Sequence, residues 1–427
     1  MKVAVVGAGS TYTPELVSGL SRERARFELD ELALHDIDAE RREVVGGLAG
    51  RMLARQGFDG SLVLTGDLDR ALEGADVVLI QIRVGGQTAR LSDETVPLAC
   101  GCIGQETTGA GGFGKALRTV PVVLDIARRA REIAAPGSWI VDFTNPVGIV
   151  TRALLDDGHH AIGLCNVAIG FERAMAPMLG VEPERLVVDQ VGLNHLTWVR
   201  AVWLDERDVL PELLAAHGDE LAGLAGLPRR LLDELGAVPS YYLRYFYAHD
   251  EVLAEQLSGA TPRAVTVAAI ERELLAMYAD PALAAKPALL EQRGGAFYSE
   301  AATRLVASLA TGDGAIHVVD TRNGDTIGGL APDDVVEVPA RVGEHGPLPL
   351  PQRPLAPELV GLVAHVAAYE RLAVQAALGG SRSVARKALL AHPLIGQWGP
   401  VEALVDALLE ADAHHLPRFG APAGARP

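Results

Sequence analysis

Cysteine is scarce in this chain of 427 residues, which has only Cys100, Cys102 and Cys165. Three thiols are too few for a disulfide framework and suit a reducing compartment. Long apolar runs are missing as well. No stretch approaches the roughly 18 uninterrupted apolar residues that a spanning helix needs, which argues against a membrane protein. Positive charge is short: 38 Lys and Arg stand against 55 Asp and Glu, a formal net charge of −17. Phosphate-backbone binding depends on clustered Lys and Arg, so neither nucleic acid nor an anionic membrane is an expected partner. Local arginines still leave room for a small anionic ligand. The opening MKVAVVGAGS has no charged leader with a small-residue cleavage site. It reads as a first strand, and a cytoplasmic protein is expected.

What is present is ordinary globular material, with 49 % apolar and 22 % charged residues and enough length for two domains. Up to about residue 165 short β-rich runs alternate with helical patterns. KVAVVGAG, ELALHDI, ADVVLIQIR, SWIVDFTNP and HAIGLCN read as strands, and PELVSGLSRER, AERREVVGGLAGRMLARQ and RTVPVVLDIARRAREIAA as helices. That order predicts an α/β fold with a doubly wound parallel sheet, Rossmann-like, over residues 1–165. Residues 166–427 read as a mixed α+β, largely helical domain, with strand-like segments at AIHVVDTRN and DVVEVPARV. PLPLPQRPLAP is expected to be a rigid connection before two terminal helices, and the tail LPRFGAPAGARP to fray.

Several motifs fall at the predicted carboxyl ends of strands, where ligands of doubly wound folds bind. Gly7 and Gly9, followed by Ser10 and Thr11, form a strand-to-helix turn whose amides suit a pyrophosphate. The third glycine of GxGxxG is replaced by Tyr12, so the turn alone is a weak signal. Asp36 ends the second strand, where an acid suits the ribose of NAD; helix capping by Asp36 and Asp38 is the plainer reading. FTNPVG places Asn145 after another strand, either at the ligand or in a simple turn. Cys165 and His195 each follow an apolar run and are competent transition-metal ligands, with buried thiol and satisfied histidine as the alternative. PSYYLRYFY holds four of the chain's 8 tyrosines within seven positions. A tyrosine there acts as a base only if a nearby cation lowers its pKa.

In order and across nearly the whole chain, GAGSTYTPEL, IGQETTGAGGF, FTNPVG, GLCNV, GLNHLTW, YLRYFY, RGGAFYS and HVVDTRN resemble the NAD- and divalent-metal-dependent glycoside hydrolases of family 4. The resemblance implies that Cys165 and His195 bind a metal, usually manganese, and that Tyr242 is the base. It implies oxidation at C3 by NAD, loss of the acidified C2 proton, elimination of the aglycone, addition of water and re-reduction. It further implies that Glu106 supports the tyrosine, that Asn166 contributes to catalysis and substrate contact, and that Arg90, Asn145 and Arg293 contact substrate. Cys165-Asn166-Val167 resembles the 6-phospho-β-glucosidase branch, which implies a sugar phosphate as the small-molecule partner. A homodimer or homotetramer is the family expectation.

Three rivals follow. A relative acting on α-linked or unphosphorylated glycosides would share the cofactors. A malate-type NAD-dependent dehydrogenase would share the sheet and the Asn-Pro turn, but would release reduced cofactor and ignore metal. A non-catalytic NAD or sugar-phosphate sensor would have no need of Tyr242 as a base.

Overall fold

The computed structural model describes residues 1–294 and 297–420. Two positions of the RGGAFYS motif, Gly295 and Ala296, and the expected frayed tail from residue 421 onward lie outside the described residues. Residues 3–6, 32–34 and Val77–Ile80 are almost free of solvent, the continuous apolar burial required of strands covered on both faces. They belong to a parallel set: β1 (Lys2–Val6), β2 (Glu31–His35), β3 (Ser61–Thr65), β4 (Val77–Ile80), β5 (Trp139–Asp142) and β6 (Ala161–Gly163). The sequence reading has no counterpart of β3. That strand is the sheet's edge and mostly half-exposed, so it lacks the apolar run that marks its neighbours.

Beyond β6 every pairing becomes antiparallel. Strands β7 (Leu186–Leu193), β8 (Leu196–Leu204), β9 (Arg207–Asp208), β10 (Val238–Pro239), β11 (Ile316–Arg322), β12 (Val335–Gly343) and β13 (Gly346–Pro349) continue the same sheet. Its order is β10-β8-β7-β12-β11-β6-β5-β4-β1-β2-β3, with β13 on β12 and β9 on β8. The halves join where Asp320 of β11 pairs with Gly163 of β6. The start of the Pro-rich segment is the strand β13 rather than a plain connection, because Gly346–Pro349 returns along β12.

Helices cover the sheet. The helix Gly109–Ile133 buries Phe113, Leu117, Val120 and Leu124 in the same core as Val363, Ala367 and Val374 of the helix Pro357–Gly379. After the expected helix Arg382–Ala391 comes a third, Trp398–Ala411, which the sequence reading lacks; Gly399 and Pro400 disguise its first turn. The helix Gly86–Ala99 is likewise unread, its pattern broken by Pro97.

One buried charge cluster fastens this layer. The Arg118 guanidinium, with no exposed side-chain surface (0 %), reaches both oxygens of Asp93 at 2.8 and 2.6 Å and Asp412 at 2.9 Å. Burial, offset by Arg118, pushes the Asp93 carboxyl up to about 7. Removing the cation leaves two carboxylates in the core. Arg118→Ala is expected to destabilise the chain by about 3–5 kcal/mol, read as a lower urea midpoint; a wild-type midpoint would show the cluster to be idle.

Candidate active site

The glycine turn closes over the carboxyl end of β1. Gly7 has φ +91°, and a Cβ there would lie 2.7 Å from the Gln81 carbonyl oxygen, so glycine is required. The Gly9 N–H donates to Asp36 Oδ2 at 2.6 Å, and a Cβ on Gly9 would meet that oxygen. Asp36 therefore braces the turn; its other oxygen accepts from the Asp38 N–H at 2.9 Å. Helix capping falls to Asp38 alone, which accepts from the Arg41 N–H. The helix Thr13–Glu23 starts without a side-chain cap, its Thr13 N–H donating to the Ser10 carbonyl and its Glu15 and Leu16 N–H groups to the Tyr12 carbonyl, and Thr11 Oγ1 is buried without a protein partner.

From this turn a cleft of about 720 Å³ runs along the sheet edge. Ser10, Arg90, Glu106, Asn145, Asn166, Tyr242 and Arg293 all line it. Cys165 and His195 lie behind that surface, 3 and 6 % exposed. Cys165 follows β6, and His195, at φ +63°, makes the tight turn between β7 and β8. Segment β10 pairs with Trp198 and Val199 of β8, which delivers the next residues, including Tyr242, to that turn. The Tyr242 ring stacks on the His195 imidazole at 3.6 Å between centroids and 13° between planes. Asn194 lies close enough to the Cys165 sulfur to favour its thiolate, and that sulfur in turn acts on Tyr242, so thiol, imidazole and phenol share one corner.

That corner is short of positive charge. Burial, then the Glu337 carboxylate, pushes the Cys165 thiol well above its ordinary range. Burial, then the Cys165 sulfur, raises Tyr242. Burial, then the Lys115 charge, lowers His195 to about 3 and leaves a neutral imidazole whose Nδ1 is buried without a partner. A neutral imidazole and a thiol fit a transition ion. Among the described residues no three His, Cys, Asp or Glu side chains converge as a metal cage, so the remaining positions are left to water or substrate.

The cleft floor is charged. Glu106 receives Arg83, Lys115 at 2.7 Å and Arg90 at 3.2 Å. Burial would raise its carboxyl, but Arg83, Lys115 and Arg90 outweigh burial and hold it well below the ordinary range. Burial and Arg83 lower Lys115 to about 8. Arg90 also pairs with Glu94 at 2.7 Å, and Arg293 with Glu271 at 2.9 Å. Asn145 lies beside the Tyr298 hydroxyl and keeps a buried Oδ1 without a protein partner.

The sequence reading passes over Arg83, Lys115, Tyr298 and Glu337. Arg83 follows β4 at the carboxyl edge and was accessible to the same rule that finds Asn145. Glu337, an acid amid valines in β12, is a buried-charge signal. Beneath the corner lies an acid layer of Asp142, Asp320, Glu337 and Glu370, all at most 4 % exposed. Burial raises the carboxyl of each.

The profile of the family described as "Family 4 glycosyl hydrolase" matches residues 2–181, and that of its C-terminal domain matches residues 190–395. A Bacillus subtilis protein named "probable 6-phospho-beta-glucosidase" is 38 % identical over 434 residues, covering 98 % of each chain. The Escherichia coli "6-phospho-beta-glucosidase" is 34 % identical, covering 98 % of this chain and 97 % of that one. The crystal structure of the 6-phospho-beta glucosidase from Thermotoga maritima with manganese, NAD+ and glucose-6-phosphate superposes with a TM-score of 0.90 at 34 % identity, covering 97 % of this chain and 99 % of that one.

The acid layer has a measurable consequence for stability. Burial raises Glu370 from an ordinary 4.5 to about 8, so between those values the folded chain keeps a proton that the unfolded chain has released. Stability contributed this way is lost as pH rises through the window, by up to about 1.4 kcal/mol per pH unit. Glu370→Gln is expected to flatten that part of the pH–stability curve, measured by urea unfolding across the window. An unchanged slope would show that Glu370 ionises as it does in water.

Proposed function

The chain belongs to the family 4 glycosyl hydrolases, and on that premise we propose that it hydrolyses 6-phospho-β-glucosides. The route is oxidation at C3, deprotonation at C2, elimination of the aglycone, addition of water and reduction of C3. The convergence of Cys165, His195 and Tyr242 on the sheet edge that carries the glycine turn supports this reading. NAD supplies a reversible hydride acceptor, and a divalent ion, manganese, supplies positive charge at the sugar oxygens.

Cys165 and His195 hold the metal. The Gly7–Gly9 turn, Ser10 and Thr11 cradle the pyrophosphate of NAD, while Asp36 braces the turn from the ribose side. Tyr242 takes the C2 proton. Its ring is fixed by the stack on His195, so its hydroxyl is held at the cleft rather than free to turn away. The Glu106 carboxylate raises the proton affinity of Tyr242, which makes the phenolate a stronger base, and Arg90 opposes it. Asn145, with its unpartnered Oδ1, and Asn166 accept sugar hydroxyls. Arg90 and Arg293 offer forked donors to the 6-phosphate. Residues 1–165 serve NAD, and residues 166–427 supply His195, Tyr242 and the contacts of a homodimer or homotetramer. The Cys165-Asn166-Val167 wording supports the β-linked branch, and the three free cysteines support a cytoplasmic setting.

Chromophore release from 4-nitrophenyl 6-phospho-β-glucoside tests the function, using protein stripped of cofactors and then restored with NAD, manganese and reductant. Turnover that needs both, without net reduced NAD, is expected. Stoichiometric reduced NAD would instead mark a dehydrogenase, and binding without turnover a sensor. For the base, Tyr242→Phe is expected to slow exchange of the C2 proton with deuterated solvent by about 10²–10⁴-fold, followed by proton magnetic resonance. A wild-type exchange rate would pass the role to Tyr241.

A further inference from the structure

A single row of residues crosses the sheet where its halves meet. Gly163 of β6 pairs with Asp320 of β11, Asp320 with Glu337 of β12, and Glu337 with Gly192 of β7. Two acids thus stand directly opposite one another, where a sheet ordinarily places apolar or oppositely charged pairs. Asp320 is 0 % and Glu337 1 % exposed, so the pair carries the cost of holding polar groups away from water. Gly163 leaves no slack on one flank: a Cβ there would lie 2.1 Å from Thr151 Oγ1 and 2.8 Å from the Asp320 Cβ. Two apolar side chains would fill this row at lower cost to the fold.

Glu337 is nevertheless tightly used. One oxygen accepts from Gln190 Nε2 at 2.6 Å and the other from Asn194 Nδ2 at 2.9 Å. Bound on both sides, the carboxylate cannot swing. The Asn194 amide also lies close enough to the Cys165 sulfur to favour its thiolate, and Asn194 directly precedes His195 in the β7–β8 turn. With Nδ2 donating to Glu337, a flip of the Asn194 amide would set its oxygen against that carboxylate, so the amide nitrogen stays in place.

We propose that Glu337 is a positioning residue for the metal pair, fixing the Asn194 amide against the Cys165 sulfur and, with it, the turn that carries His195. This rests on the metal-binding reading of Cys165 and His195 given above. The logic is that of outer groups that orient the ligands of a metal: a carboxylate bonded to a neighbouring amide sets where the donor atoms stand before any ion arrives.

The test titrates the metal-stripped full chain with manganese, followed by paramagnetic resonance of the free ion, and with cobalt, followed by the thiolate-to-cobalt charge-transfer absorption. Glu337→Gln is expected to weaken manganese binding about 10–100-fold and to shift or dim the cobalt band, with NAD affinity unchanged. Asn194→Ala, which leaves Glu337 bonded to Gln190, is expected to reproduce both changes. Wild-type manganese affinity and an unaltered band in folded Glu337→Gln overturn the proposal; if that variant does not fold, the same result in Asn194→Ala overturns it. Cys165→Ser separates the two levels of inference. Unchanged manganese affinity there removes the metal pair itself, and with it any part for Glu337.

Discussion

The junction between a parallel and an antiparallel half-sheet is the constraint on which the rest of the molecule depends. Asp320 meets Gly163 on one side and, through Glu337, Gly192 on the other. Because β6 and β7 are bridged only through β11 and β12, their ends stand at one edge, although the chain between them leaves the sheet to form the helix Val167–Leu179. Cys165 lies two residues beyond Gly163, and His195 three beyond Gly192. A slip of one residue in either pairing would turn these side chains to the opposite face. The register, and not proximity in sequence, makes them neighbours.

Electrostatics at that edge follow from the same burial. The acids of the corner, Cys165 and Tyr242, are pushed toward their neutral forms, as are Asp320, Glu337 and Glu370 beneath them, while His195 is pushed toward its neutral form as a base. All of these shifts have burial as their largest cause. The cations of the cleft face other acids than those of the corner: Arg83, Arg90 and Lys115 surround Glu106, and Arg293 pairs with Glu271. A divalent charge placed at the corner would act on every one of these acids in the same direction, favouring thiolate and phenolate together. The site is thus poised for a cation that its own side chains do not provide.

The elements with uniform burial were readable from the sequence: residues 3–6 of β1, 32–34 of β2 and Val77–Ile80 of β4 are apolar because both faces are covered. Edge strand β3 and the helix Gly86–Ala99 were not, since half-exposed positions and an internal proline erase the periodicities on which such reading depends. Individual site residues were named through motifs, but their partners were not. Nothing in the wording GLNHLTW shows that Asn194 is held by a glutamate some 140 residues later (|i−j| 143). Asp36 shows the converse: its place after β2 was legible, but its work in bracing Gly9 became visible only in three dimensions.

The division between the halves also explains how a sheet suited to hydride transfer serves hydrolysis. A glycine turn, an acid after β2 and an Asn-Pro turn after β5 would equip an ordinary dehydrogenase, and all of them precede Gly163. The groups proposed to separate hydrolysis from simple oxidation lie beyond it: Cys165, His195, Tyr242 and the braced Glu337. An oxidation at C3 does not by itself break the glycosidic bond; it must be joined to proton removal at C2 within the same enclosure, before the oxidised sugar can leave. The antiparallel half suits that requirement by stacking the proposed base directly on one proposed ligand of the metal, so that the two chemistries share a single corner. Function in this chain therefore resides in what the second half adds to the edge of the first.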